Sequence, residues 1–211
     1  GMSNLLDKAL EKIEESKLEV SKIVFTGDYI DRGSDSLGVV TTVKKLVKEG
    51  KAVAIRGNHE QMMIDSFDNF WEYDPTLCPY WIPNGGDATL HSYGYLMEAV
   101  SRDAMWMKAL PLYHLDEHRI YVHGFADETV SKPVLFDPER TMWGRYDKTE
   151  DFGWYGRHVV HGHTPRKKPE LKLFRTNLDT RAYATGLLHV GVFDDNISGG
   201  PTEVWEITGG A

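Results

Sequence analysis

The chain of 211 residues has one cysteine, Cys78, so no internal disulfide can form, which suits a reducing cytoplasm. No apolar run approaches the ~18 residues of a membrane span, and no signal peptide is visible. Basic residues are also in deficit: 24 Lys and Arg stand against 32 Asp and Glu, a net charge of −8. That balance argues against a general nucleic-acid or membrane-surface binder, because both are held mainly by cationic patches. The short run Arg166-Lys167-Lys168 reads as a solvated loop. With no internal repeat and no linker, a single domain over 1–211 is expected, able to bury roughly 70 % of its unfolded surface. Gly1 ahead of Met2 reads as the remnant of a purification tag.

What is present is an alternation of helical and extended patterns. Ser3 or Asn4 can cap a helix with Leu6, Ala9, Leu10 and Ile13 on its apolar face. Residues 22–26 (KIVFT) read as a buried strand that opens at Gly27-Asp28 into a loop. Ser34 or Asp35 caps a second helix carrying Leu37, Val40, Val43, Leu46 and Val47, with Gly50 as its stop. Residues 51–55 (KAVAI) form the next strand, and this order implies parallel strands joined by right-handed crossovers. Helix resumes at Gln61. The aromatic-rich stretch 67–94 reads either as a lid beside a site or as a packed satellite core. A helix over 102–110 is stopped by Pro111, and a hairpin turns at Asp116-Glu117. After a polar loop at 127–141, further strands are expected at 157–161, 171–175, 187–193 and 203–207.

Strand ends carry the chemistry. Ligands of open α/β sheets gather at the carboxyl ends of strands. There Asp28 offers a carboxylate, Asn58 an amide oxygen, and His123 and His163 two imidazoles. This mixed oxygen and nitrogen set suits Mn²⁺, Fe²⁺ or Zn²⁺, and without further thiols a cysteine-type structural zinc site is excluded. Read alone, 27–33 (GDYIDRG) would serve equally as a strand-to-helix turn, with Asp31 as a cap and Arg32 in a surface ion pair.

Taken together, GDYIDRG (27–33), RGNHEQMM (56–63), NGG (84–86), VHG (122–124), WGR (143–145) and HGHTP (161–165) resemble the phosphoprotein phosphatase branch of the calcineurin-like metallophosphoesterases, close to bacterial and phage-type protein phosphatases. The closing LDTRAYATGLLHVGVF (178–193) resembles that family's last strand pair, with Arg181 where a glycine is usual. The resemblance implies an α/β fold: a sandwich of two mixed β-sheets flanked by helices. It implies that Asp28 bridges two metals and that Asn58, His123 and His163 complete the second. His59 would be the general acid, oriented by Asp31, while Arg32 and Arg145 grip the phosphoryl oxygens. His161 has the weaker claim to a metal.

One element of the family pattern has no counterpart. Its first motif, Gly-Asp-x-His-Gly, would fall ahead of Met2, and the strand leading to it is missing too. A start assigned too late and an N-terminal truncation both fit this. The chain as given is therefore expected to hold one divalent ion, Mn²⁺ first and Fe or Zn next, where the family holds two. An unpaired sheet edge would invite a second copy as partner. The implied function is metal-dependent hydrolysis of a phosphoric ester, on phosphorylated protein or a small phosphoester. The alternatives are a diadenosine tetraphosphate-type hydrolase and a catalytically impaired phosphatase-like binding module.

Overall fold

In a computed structural model of the chain, residues 1–70 and 79–209 are described. Cys78 and the middle of the aromatic stretch, 71–78, lie outside them. The first helix, α1 (Ser3–Ser16), starts without a side-chain cap, and Met2 rather than Ser3 or Asn4 holds the cap position. Ser3 instead lies beside Asp35 and is the main influence holding that carboxyl below its ordinary pKa. Two faces of α1 are buried: Leu6 joins the larger core, while Leu5 and Ala9 pack with Ile207.

Strands β1 (Ile23–Phe25) and β2 (Ala52–Ala54) pair in parallel, with Ile23 opposite Ala52. Helix α2 (Ser36–Lys48) makes the crossover, capped by Asp35 through its bond from the Gly38 N–H (2.9 Å), with Val39, Val40 and Val43 buried. Helix α3 (Asn58–Phe70) starts three residues ahead of the expected Gln61. The reason is a reach-back bond: the Glu60 carboxylate accepts the Gly57 N–H at 2.8 Å, half of a capping box. Asn58 and His59 therefore sit in a first helical turn. Helices α4 (Gly86–Ser92) and α5 (Met97–Lys108) follow, the latter starting five residues before the expected 102. Trp81 is fully buried among Met62, Met63, Leu90 and Val100, so this part of the aromatic stretch is core.

The second half builds a mixed five-stranded sheet from β3 (Tyr113–Leu115), β4 (Arg119–Val122), β5 (His158–His161), β6 (Glu170–Leu171) and β7 (Arg175–Asn177). Its order is β3-β4-β5-β7-β6, parallel in the middle and antiparallel at both edges. The expected strand over 171–175 is thus two strands. The chain reverses between them, where Leu173 and Phe174 are exposed, and buried Arg175 bonds back to Glu170 (2.8 Å). Helix α6 (Pro138–Trp143) lies at the end of the expected polar loop. A one-turn helix, α7 (Ala182–Thr185), leads into the hairpin of β8 (Leu187–Val192) and β9 (Glu203–Thr208).

Among the described residues β1 pairs only with β2, and β8 only with β9. Their open edges line one cavity of about 1100 Å³, together with Leu5 and Ala9 of α1 and Val160 of β5. The cavity runs to Asp28, His59, His123 and His163.

Candidate active site

The loop after β1 is left-handed at three non-glycine residues, Asp28 (φ 60), Asp31 (φ 73) and Arg32 (φ 63). Such backbone costs on the order of 1–3 kcal/mol per residue and persists only when the surroundings over-determine it. Here Glu60 does so. It is fully buried and accepts the N–H groups of Asp28 (2.8 Å) and Tyr29 (2.7 Å) as well as that of Gly57. Gly27 (φ 94) precedes the loop, and a Cβ there would stand 2.7 Å from Gly57 Cα and 2.8 Å from His123 Nδ1. The two strand ends meet at backbone contact.

Four of the expected ligands converge. His123 Nε2 lies 2.9 Å from Asn58 Oδ1 and 3.3 Å from Asp28 Oδ1, and His163 Nδ1 lies 2.9 Å from the same Asn58 oxygen. His123 Nδ1 faces the Thr26 carbonyl at 2.7 Å, and a carbonyl only accepts, so the ring proton is on Nδ1. In the neutral ring Nε2 is then a bare lone pair set against two oxygen acceptors. A cation among these atoms reconciles that contact, and so does an Asn58 amide turned to present its NH2 to the ring. The donor set therefore fits a divalent ion of borderline softness. Among the described residues no three His, Cys, Asp or Glu side chains alone form a metal cage. The two imidazoles meet on the amide oxygen of Asn58, and Asp28 joins them through His123.

The charges agree with this geometry. Burial is the largest influence on Asp28 and acts upward, but the charges of His123, His59 and His163 prevail and hold its pKa down. Burial, then His123, lowers His163 to about 4. Burial opposes a charge on His59 too, yet Asp28 and Asp31 outweigh it and raise its pKa.

His59 and Asp31 form a buried pair, Nδ1 to Oδ2 at 2.6 Å. The other Asp31 oxygen accepts Trp81 Nε1–H (3.1 Å) and the Thr89 hydroxyl (2.7 Å). Sequence reading missed Glu60, Trp81 and Thr89 as the parts that hold this pair. Glu60 was detectable, as the third residue of a helix opened by Gly57. Trp81 and Thr89 arrive from α4 and the turn before it, and nothing local points to Asp31.

Arg32 and Arg145 are both exposed and line the same cavity. His161 is turned elsewhere. Its Nδ1 faces the Gly162 carbonyl (3.1 Å), its Nε2 accepts from Arg175 (3.2 Å), and burial lowers its pKa to about 3.

A buried acid–base pair stands beside a four-donor cluster at the strand ends of a mixed α/β fold, and metal-assisted hydrolysis uses donors of these kinds. The family described as Calcineurin-like phosphoesterase matches residues 1–179, and the chain belongs to that family. Serine/threonine-protein phosphatase 1 of Salmonella typhimurium (strain LT2) is 35 % identical over 170 residues, 75 % of this chain and 73 % of that protein. The Bis(5'-nucleosyl)-tetraphosphatase PrpE [asymmetrical] of Anoxybacillus flavithermus (strain WK1) is 27 % identical over 214 residues, 87 % of this chain and 82 % of that protein. A serine/threonine phosphatase structure from Saccharomyces cerevisiae, with similarity to human phosphatase PP5, superposes with a TM-score of 0.61 at 16 % identity, covering 98 % of this chain and 76 % of its own. The chain is thus a hydrolase of a family that works with divalent metal ions. No helix among the described residues is long and apolar enough to cross a membrane.

Proposed function

We propose that this chain hydrolyses phosphoric monoesters, with phosphorylated serine or threonine side chains as the substrate. The observation that carries the reading is the buried Asp31–His59 pair set directly beside the Asp28, Asn58, His123 and His163 cluster. Those four residues would hold one divalent ion, Mn²⁺ by preference, which supplies Lewis acidity and lowers the pKa of water. Asp31 keeps a proton on His59 Nδ1, so proton exchange with substrate falls to Nε2. With its pKa raised, His59 carries that second proton and can deliver it to the departing alkoxide. Arg32 and Arg145 supply guanidinium forks that match the equatorial phosphoryl oxygens.

A dinucleoside tetraphosphate is the second reading. It is favoured by two more arginines on the same cavity, Arg166 and Arg181, which suit a longer phosphate chain, and by the tetraphosphatase relative. The open edges of β1 and β8 favour a second copy of the chain as a partner.

The test combines three measurements on the dialysed chain: metal content, and hydrolysis of a phosphothreonine peptide and of a dinucleoside tetraphosphate with added Mn²⁺. One ion per chain and a higher kcat/KM on the peptide are expected. A higher value on the tetraphosphate would establish the second reading. Peptide binding without turnover of either substrate would make the chain a binding module.

A further inference from the structure

We infer that Tyr183, with Asn84, is a positioning residue that fixes the Arg32 guanidinium for phosphate; the inference rests on the phosphoester reading of the site. The Arg32 guanidinium carbon sits 4.9 Å from the Tyr183 ring centroid. In its own plane, Nε donates to the Asn84 carbonyl (3.1 Å) and Nη2 to Asn84 Oδ1 (3.3 Å). A guanidinium has five N–H donors, so three remain: two on the Nη1–Nη2 edge away from Asn84, and one on Nη1 that points back along the side chain. One face is covered by the ring, one edge by Asn84, and the free edge is left for a ligand. Arg32 lines the cavity with His59, and its charge is felt at His59, where it opposes protonation.

The clamp is built into the backbone. The Arg32 N–H donates to the Gly85 carbonyl at 3.2 Å. Gly85 has φ 101, and a Cβ there would lie 2.5 Å from Arg32 Cγ, so only glycine lets this loop approach the arginine. On the other side α7 is a single turn held by its own bonds: Asp179 Oδ1 accepts the Arg181 N–H (2.8 Å), and the Thr185 hydroxyl donates to the Thr180 carbonyl (3.1 Å). Arg181 holds φ 63 at the start of that turn, a strained value that sets where Tyr183 points.

An exposed arginine otherwise samples many rotamers. Stacking and two hydrogen bonds remove that freedom before the ligand arrives, so less is lost on binding. The test uses inorganic phosphate as the probe on the Mn²⁺-loaded chain. Tyr183→Leu should weaken phosphate binding about three- to fivefold, the worth of an exposed cation–π contact. Tyr183→Phe, which keeps the ring face, should restore it. In an Arg32→Ala background Tyr183→Leu should cost nothing further. An equal loss in both backgrounds would show that Tyr183 acts without Arg32, and no loss in either would overturn the inference. A second readout needs neither metal nor activity. The Arg32 Nε–H resonance of the metal-free chain should be ring-shifted and slow to exchange, and Tyr183→Leu should abolish both. A wild-type chain that shows this signature yet binds no phosphate would refute the phosphoester reading, and with it the role assigned to the clamp. A signature unchanged by Tyr183→Leu would refute the clamp alone.

Discussion

The two sides of the site are held by different forces. His123 and His163 follow β4 and β5, whose residues are all buried and belong to a core of Ile120, Val122, Phe125 and Val159. Asp28 follows β1, whose three residues are only half-buried and which, with half-buried β8, borders the 1100 Å³ cavity. Its loop is fixed instead by the three N–H groups that converge on Glu60. One side is positioned by packing, the other by hydrogen bonds to a buried carboxylate. Packing tolerates no loss of volume, whereas a polar network tolerates no loss of partners. The two sides should therefore fail in response to different substitutions.

The largest effect should come from the polar side. His59→Asn removes the proton donor while leaving Asp28, Asn58, His123 and His163 in place. The expected outcome, on a substrate that the wild type turns over, is a fall in kcat of roughly 10²–10⁴, the usual worth of a positioned acid. Bound metal, measured by elemental analysis, should be unchanged. Loss of the metal at the same pH would mean that His59 holds the ion and that the division between packed and polar sides is misdrawn.

The packed side should be the more sensitive to truncation. Ile120 of β4 is fully buried, so Ile120→Ala is expected to cost about 2–5 kcal/mol in unfolding free energy. Val190 of β8 is half-buried and lines the cavity, so Val190→Ala removes atoms that already lack neighbours on one side. Its cost should stay under ~1 kcal/mol. Urea unfolding of both variants measures the difference. Equal losses would show that the cavity side is as tightly packed as the five-stranded sheet.

The same contrast explains what the sequence could and could not reveal. The strands at 119–123 and 157–161 were legible because apolar runs ending in Gly-His contexts are local signals. The convergence of Asp28, Asn58, His123 and His163 was legible because each follows a strand or opens a helix. The reversal at 172–174 was not, since KLF continues an apparently regular strand and only the burial of Arg175 against Glu170 and His161 turns it. The start of α3 at Asn58 had only the Gly57–Glu60 spacing as a local signal, and that signal was overlooked. The bond that sets it, Glu60 to Gly57, also depends on Glu60 being buried under a loop 31 residues earlier. Local pattern carries elements; it does not carry which buried polar group answers which.

The smallest effect concerns a buried histidine on the packed side. His158 begins β5, is buried, and keeps Nε2 on the Thr176 hydroxyl (2.9 Å). Burial is the main cause of its lowered pKa; a hydrogen bond with the Leu173 backbone acts upward, and the nearby Arg119 charge acts with burial. Since the unfolded chain titrates this group near the ordinary value of ~6.5, the folded state binds fewer protons below that pH. The neutral ring's contribution to stability is therefore fully present above about pH 6.5 and is lost as pH falls toward the folded value. Thermal unfolding between pH 7.5 and pH 5 should show a falling Tm in the wild type. His158→Gln offers Thr176 an amide in place of the ring and has no proton to gain, so its Tm should fall less steeply over the same range. Parallel slopes for the two proteins would show that His158 takes up its proton as readily folded as unfolded, and that acid sensitivity in this window arises on the polar side instead.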